Sequence, residues 1–194
     1  MSRAALSREP AAAHDSGADA SRSGGDARLE WVRGLLDAVT DPEIPVVTIA
    51  ELGILREVRW AGSVIEVVIT PTYSGCPAMS QIEDDVRHVL AKNGIAARVV
   101  TQLAPAWTTD WISASGCERL REFGIAPPHH RAHTGASVIR FTTKSIANYQ
   151  DKPVACPHCG SQNTTETSHF GSTACKALYR CLDCMEPFDL FKPH

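Results

Sequence analysis

Large apolar side chains first recur at helical spacing at Leu29, Val32, Leu36 and Val39, which predicts a helix over Ala27–Val39 with Asp26 as its N-cap. The TDPEIP segment ends it, because Pro42 disfavours helix at the residue before it. ILREVRW and VIEVVIT, rich in β-branched residues, flank Ala61-Gly62 and predict a hairpin. Met79, Ile82, Val86, Val89 and Leu90 share one face of a second helix, for which Asn93-Gly94 is the stop signal. AARVVTQL reads as a third strand, and Trp111–Phe123 as a shorter helix closed by Gly124.

The flanks read differently. Residues 1–26 are rich in Ala, Ser, Gly and Asp and cannot bury enough surface to offset their ordering entropy, so a disordered extension is expected there. IAPPHHRAHTGAS supplies a linker, residues 126–137. Beyond Val138 come short alternating strands, paired cysteines and six of the chain's eight Phe and Tyr residues, a concentration that marks a separate small unit. The pattern therefore divides the chain into an α+β unit over 27–125, a three-stranded sheet with helices, and an all-β unit over 138–194.

Composition narrows the function classes. The net charge of −3 over 194 residues argues against a dedicated nucleic-acid binder, as does the near balance of six Lys and Arg against five Asp and Glu from Val138 onward. No apolar run approaches the ~18 residues of a membrane span. The N-terminus has no apolar core with a cleavage site, and Glu9, Asp15 and Asp19 are out of place in a transit peptide, so a cytoplasmic protein is expected.

Seven cysteines is an odd number, and four fall in CxxC pairs: Cys156 with Cys159 in CPHCG, and Cys181 with Cys184 in CLDC. Without an export signal, that spacing points to metal binding rather than a disulfide framework. Two such knuckles can complete a tetrahedral four-thiolate shell, and a unit this small needs a metal for much of its stability. Zinc is favoured, with iron in a rubredoxin-like site as the competitor. Cys175, inside the intervening hairpin, could replace one of the four ligands, be a fifth, exchangeable thiol, or be a small buried residue; Cys117 on the third helix reads similarly. His129, His130 and His133 in HHRAH are either a labile metal site or incidental linker histidines.

The loop TPTYSGCPAM delivers one cysteine, Cys76, to the start of the second helix. There the helix dipole and free amides are expected to lower its thiol pKa, with Pro77 at the first helical position. Such a thiolate could be a nucleophile, but no histidine is placed as its base, His88 being about three turns along the same helix. It could be redox-active, could hold iron or part of a cluster, or could be a capping cysteine without chemistry. Asp41 and Glu43, stiffened by Pro42 and Pro45, could face a common metal or partner, or Asp41 could simply cap the next turn. Glu51, in the ELG turn, is less distinctive.

DPEIPVVTIAELGILREV, then VVITPTYSGCP with an apolar helix, then APAWTTDWISASGCERLREFGIAPP, resembles the MIP18-like family of iron–sulfur assembly proteins, also called domain of unknown function fifty-nine. The resemblance covers about residues 27–125 and implies a small α+β fold and a role in cluster assembly or delivery. It makes Cys76 the iron- or cluster-related thiolate, with Asp41 and Glu43 beside it, and a transient iron–sulfur cluster or iron as cargo. With the appended CPHCGS…CLDCMEPFDLFKPH zinc ribbon, the chain resembles the accessory components of the phenylacetyl-CoA ring epoxidase of aerobic phenylacetate degradation. That implies a maturation role toward the epoxidase, with its subunits or iron–sulfur assembly proteins as partners. A structural subunit holding the complex together, and a thiol-dependent enzyme, are the alternatives; a homodimer is left open.

Overall fold

The computed structural model describes residues 17–128 and 153–193. Helix α1 spans Gly17–Leu36, and its apolar stripe buries Val32 and Leu36. It runs through Asp26, which was expected to cap it, and begins ten residues before Ala27, inside the stretch expected to be disordered. Extending a helix that already exists skips the unfavourable nucleation step, so a segment without apolar periodicity can still join one. The Trp60 indole N–H reaches the Gly25 carbonyl at 3.4 Å.

Strands β1 (Leu55–Ala61) and β2 (Val64–Ile69) form the antiparallel hairpin, with Ala61 paired to Val64 and Gly62 at φ +68° in the turn. Helix α2 (Met79–Lys92) then crosses over the sheet, burying Ile82, Val86 and Leu90, and ends at Asn93 with Gly94 at φ +67°. It delivers β3 (Ala97–Thr101) parallel to β2, which completes the sheet β1-β2-β3. Glu66 is 4% exposed in the central strand because Arg59 and Arg98, one from each neighbouring strand, both pair with its carboxylate.

The predicted Trp111–Phe123 helix is two pieces. Thr109–Trp111 is a 3-10 turn, Ile112 is extended, and α3 (Ala114–Glu122) starts afresh with Ser113 Oγ accepting the Gly116 N–H at 3.0 Å. Serine favours that cap over helix interior, which is why the break falls there. The Trp111 backbone lies against the ELG turn. Gly53 has φ +68°, and a Cβ there would sit 2.7 Å from the Trp111 carbonyl oxygen, so only glycine fits. Glu51 closes a capping box: its carboxylate accepts the Thr48 N–H while its own N–H donates to Thr48 Oγ1.

A second sheet of order β4-β7-β6-β5 follows, built from β4 (Ile125–Ala126), β5 (Thr164–Ser168), β6 (Lys176–Cys181) and β7 (Pro187–Phe191). β4 comes directly after α3, so Ala126, expected to open the linker, is a buried sheet residue paired with Leu190. His129, His130 and His133 lie outside the described residues. The two sheets share a core. Phe191 and Cys175 are buried in the apolar cluster of the first unit, and the Phe191 ring lies 5.9 Å from that of Trp107. Phe188 packs inside the ribbon, whereas Phe170 stands 66% exposed with Lys192 Nζ 4.5 Å above its ring.

Candidate metal centres

The ribbon's two knuckles converge. Cys156, Cys159, Cys181 and Cys184 hold their sulfurs within 4.8 Å of one another, with Cys156–Cys184 at 3.7 Å and Cys159–Cys181 at 3.6 Å. A tetrahedral zinc ion with bonds of about 2.3 Å sets its sulfurs roughly 3.8 Å apart, so the four thiols fit such an ion as they stand. The Cys184 N–H donates to Cys181 Sγ at 3.4 Å and, with the Asp183 N–H, holds that thiol down to about 6. The knuckles form from local turns: Gly160 has φ +75° and donates its N–H to the Cys156 carbonyl, while Asp183 accepts from Ser161 and Asn163 and ties the two loops together.

The Cys76 loop leaves β2 after Thr70, whose N–H bonds the Ile54 carbonyl at 2.9 Å. Cys76 donates its own N–H to the Tyr73 carbonyl, and α2 begins only at Met79, with Ala78 as the N-cap. Cys76 and Pro77 thus precede the helix, contrary to the expected placement of Pro77 at its first position. The thiol pKa is also opposite to expectation. Burial of the half-buried sulfur pushes it up, the Ala78 N–H offsets part of that, and Glu43, Asp41 and Cys175 push it up further. Burial is the largest influence, and it prevails over the single amide.

Both carboxylates of the proline-stiffened loop act on this thiol through their charge. Asp41 is 6% exposed, and its Oδ1 accepts the Glu43 and Ile44 N–H groups at 2.8 and 2.9 Å, which is the turn cap anticipated as the plainer reading. Capping does not take it away from the site. Burial raises the Asp41 pKa against those two amides and Lys176, and burial together with Asp41 raises Glu43. Glu51 instead pairs with Arg119 Nε at 3.1 Å.

A fourth group completes the neighbourhood. Cys175, 5% exposed, sits 3.0 Å from Thr173 Oγ1, and its thiol pKa is raised first by burial and further by Glu43 and Asp41. Beside it, Lys176 is 5% exposed and its Nζ lies 3.5 Å from Asp189 Oδ2. Cys117 is half-buried against the core on α3, and burial raises its thiol pKa.

Residues 29–101 match the family profile described as iron-sulfur cluster assembly protein, and residues 142–192 match the one described as PaaD zinc beta ribbon domain. Over 167 residues the chain is 48% identical to an Escherichia coli (strain K12) protein named as the putative D subunit of 1,2-phenylacetyl-CoA epoxidase, covering 85% of this chain and 93% of that one. The chain belongs to the PaaD family. Among solved structures, a Bacillus anthracis domain of unknown function fifty-nine is 28% identical, covering 51% of this chain and 96% of that one at a TM-score of 0.48. A Mycobacterium tuberculosis protein described as associated with Fe–S complex assembly and repair is 27% identical, covering 60% and 98% at a TM-score of 0.31.

The PaaD architecture thus joins an iron–sulfur assembly domain to a zinc ribbon. The four ribbon cysteines come together as CxxC spacing predicts, whereas among the described residues Cys76, Asp41 and Glu43 do not form such a group; the two acids bear on the thiol electrostatically. Cys175 is buried and is not one of the four-cysteine group, in keeping with the small buried residue that the sequence allowed. Among the described residues no helix is long and apolar enough to cross a membrane.

Proposed function

We propose that this protein is a non-catalytic accessory of the phenylacetyl-CoA epoxidase that holds iron or an iron–sulfur cluster in transit at Cys76, with Asp41 and Glu43 as supporting ligands. The observation that carries this reading is a half-buried thiol that feels the charge of two carboxylates of the proline-stiffened loop, one of them 6% exposed. Burial raises the pKa of all three groups, and for Cys76 and Glu43 a neighbouring acid raises it further; a soft divalent cation offsets both effects by replacing protons. The zinc ribbon is the rigid module that contacts the client, its four thiolates leaving no open position for cargo.

The test is the epoxidase itself. Co-expressed with Cys76→Ser, the epoxidase should be recovered with its subunits assembled but with most of its iron and acid-labile sulfide missing. Full iron and sulfide in that preparation would refute the reading. The scaffold alternative draws on Leu182 and Met185, which stand 47% and 53% exposed on the second knuckle. It expects Cys76→Ser to be silent and Cys181→Ser to abolish assembly.

A further inference from the structure

We infer that Leu182 and Met185, on the second zinc knuckle, form an apolar anchor that docks into a concave, basic-rimmed groove on another subunit of the epoxidase. The inference rests on the accessory reading above and adds to it the surface by which the chain meets its client. It starts from a comparison of the two knuckles, which repeat one backbone design. The first cysteine of each donates its N–H to the carbonyl five residues on, Cys156 to Ser161 at 2.8 Å and Cys181 to Glu186 at 3.0 Å. The residue after the second cysteine is left-handed in both, Gly160 at φ +75° and Met185 at φ +68°.

A left-handed position favours glycine, because a Cβ there crowds its own backbone. The first knuckle follows that preference although space does not demand it: a Cβ at Gly160 would meet no atom within 4 Å. The second knuckle departs from it. Among the described residues Met185 is the one non-glycine residue with positive φ. Packing within the chain does not offset that strain, since Met185 stands 53% exposed and Leu182, in the same turn, 47%. A strained backbone that holds an apolar side chain out to solvent is accounted for by a contact with another molecule.

The surroundings of the pair fix the kind of partner. Two half-exposed side chains fall far short of the ~800 Å² per partner that a stable pair buries, so they anchor a larger contact and are not a self-association face. A symmetric pairing would also set Asp183 and Glu186, both exposed on this segment, against their own copies. Arg180, whose Nε donates to the Met185 carbonyl at 3.4 Å, is one positive charge against those two negative ones, which leaves the rim acidic. The complementary surface is an apolar groove edged by lysine or arginine. Methionine suits such an anchor, because its flexible thioether adapts to an irregular groove. The accessory reading supplies the molecule that carries the groove, another subunit of the epoxidase.

The test measures binding of the full, zinc-loaded chain to the remaining epoxidase subunits, purified together without it, by biolayer interferometry. Met185→Gly should bind at least about tenfold more weakly, the scale on which an interface anchor is lost. Its zinc content should be unchanged and its melting temperature should not fall, because glycine relaxes the turn. Leu182→Ser, which leaves the left-handed position as it is, should weaken binding in the same way. Added salt should weaken the wild-type contact, and a contact indifferent to salt overturns the basic rim. Wild-type affinity in either variant overturns the inference while the accessory reading stands. So does a Met185→Gly chain that loses zinc or melts lower, since the side chain then serves the knuckle itself. Self-association of the purified chain that either substitution abolishes makes a second copy the occupant and overturns it too. A wild-type chain that does not bind the epoxidase subunits overturns the accessory reading, and this inference with it.

Discussion

Replacing Phe191 by alanine probes the junction that brings the ribbon to the first unit. The ring is 1% exposed within the first unit's core and 5.9 Å from the Trp107 ring, and the next residue along ties down the Cys175 carbonyl. Truncating a ring so enclosed costs about 3–5 kcal/mol, transfer and cavity together, and this includes the ~1 kcal/mol of the aromatic pair. For a chain of this size each kcal/mol moves the midpoint by about 2–4 °C, so a fall of roughly 6–20 °C is expected. The four ribbon cysteines lie outside this contact, so the variant should keep its metal. Scanning calorimetry with metal analysis reads both quantities. The wild type should unfold in one transition, and Phe191→Ala should split it, the first unit and the metal-held ribbon melting apart. A fall below about 2 °C, or a wild type that already melts in two steps, would refute the shared core.

Two further outcomes follow from the same structure. Arg59 and Arg98 hold Glu66 below the ordinary carboxylate range, so its contribution to stability is complete above that range and disappears as pH falls through the depressed value. Glu66→Gln should therefore flatten the decline in melting temperature below about pH 5, and an unchanged decline would show the pairing to be without consequence. Among the described residues the ribbon's own buried cluster is Ala126, Cys156, Cys181, Phe188 and Leu190, too small to hold the fold without metal. A strong chelator should abolish amide-exchange protection in β5 and β6 and zinc should restore it; protection that persists in metal-free protein would contradict a structural role.

The elements with strong periodicity were legible. α2 ends where Asn93-Gly94 put it, although it starts two residues after Pro77, and the hairpin and third strand follow the β-branched runs. What escaped were features without a local pattern. The extension of α1 to Gly17 has no apolar stripe to announce it. β4 is two residues long and exists only because β7 pairs with it. The break at Ser113 was visible in principle as a cap, but the apolar spacing across Trp111 to Phe123 overrode it. The docking of Phe191 and the exposure of Phe170 could not be told apart from sequence, because both are single aromatics in a short alternating segment and only the partner surface distinguishes them.

The site was legible in its members more than in its electrostatics. Loop chemistry singled out Cys76, Asp41 and Glu43, yet the expected low pKa at a helix start gave way to a raised one, because burial of the sulfur dominates and Glu43, Asp41 and Cys175 add to it. That reversal bears on function. A thiol pushed above its ordinary value carries less thiolate at neutral pH and attacks carbonyls or disulfides slowly, so the neighbourhood disfavours the nucleophile reading. The same acids that suppress the free thiolate stabilise it once a divalent cation is present, since every carboxylate that opposes a lone anion favours a bound metal. One arrangement of charges therefore weakens catalysis by the thiol and strengthens its use as a ligand, and for this reason we regard Cys76 as a holder of metal.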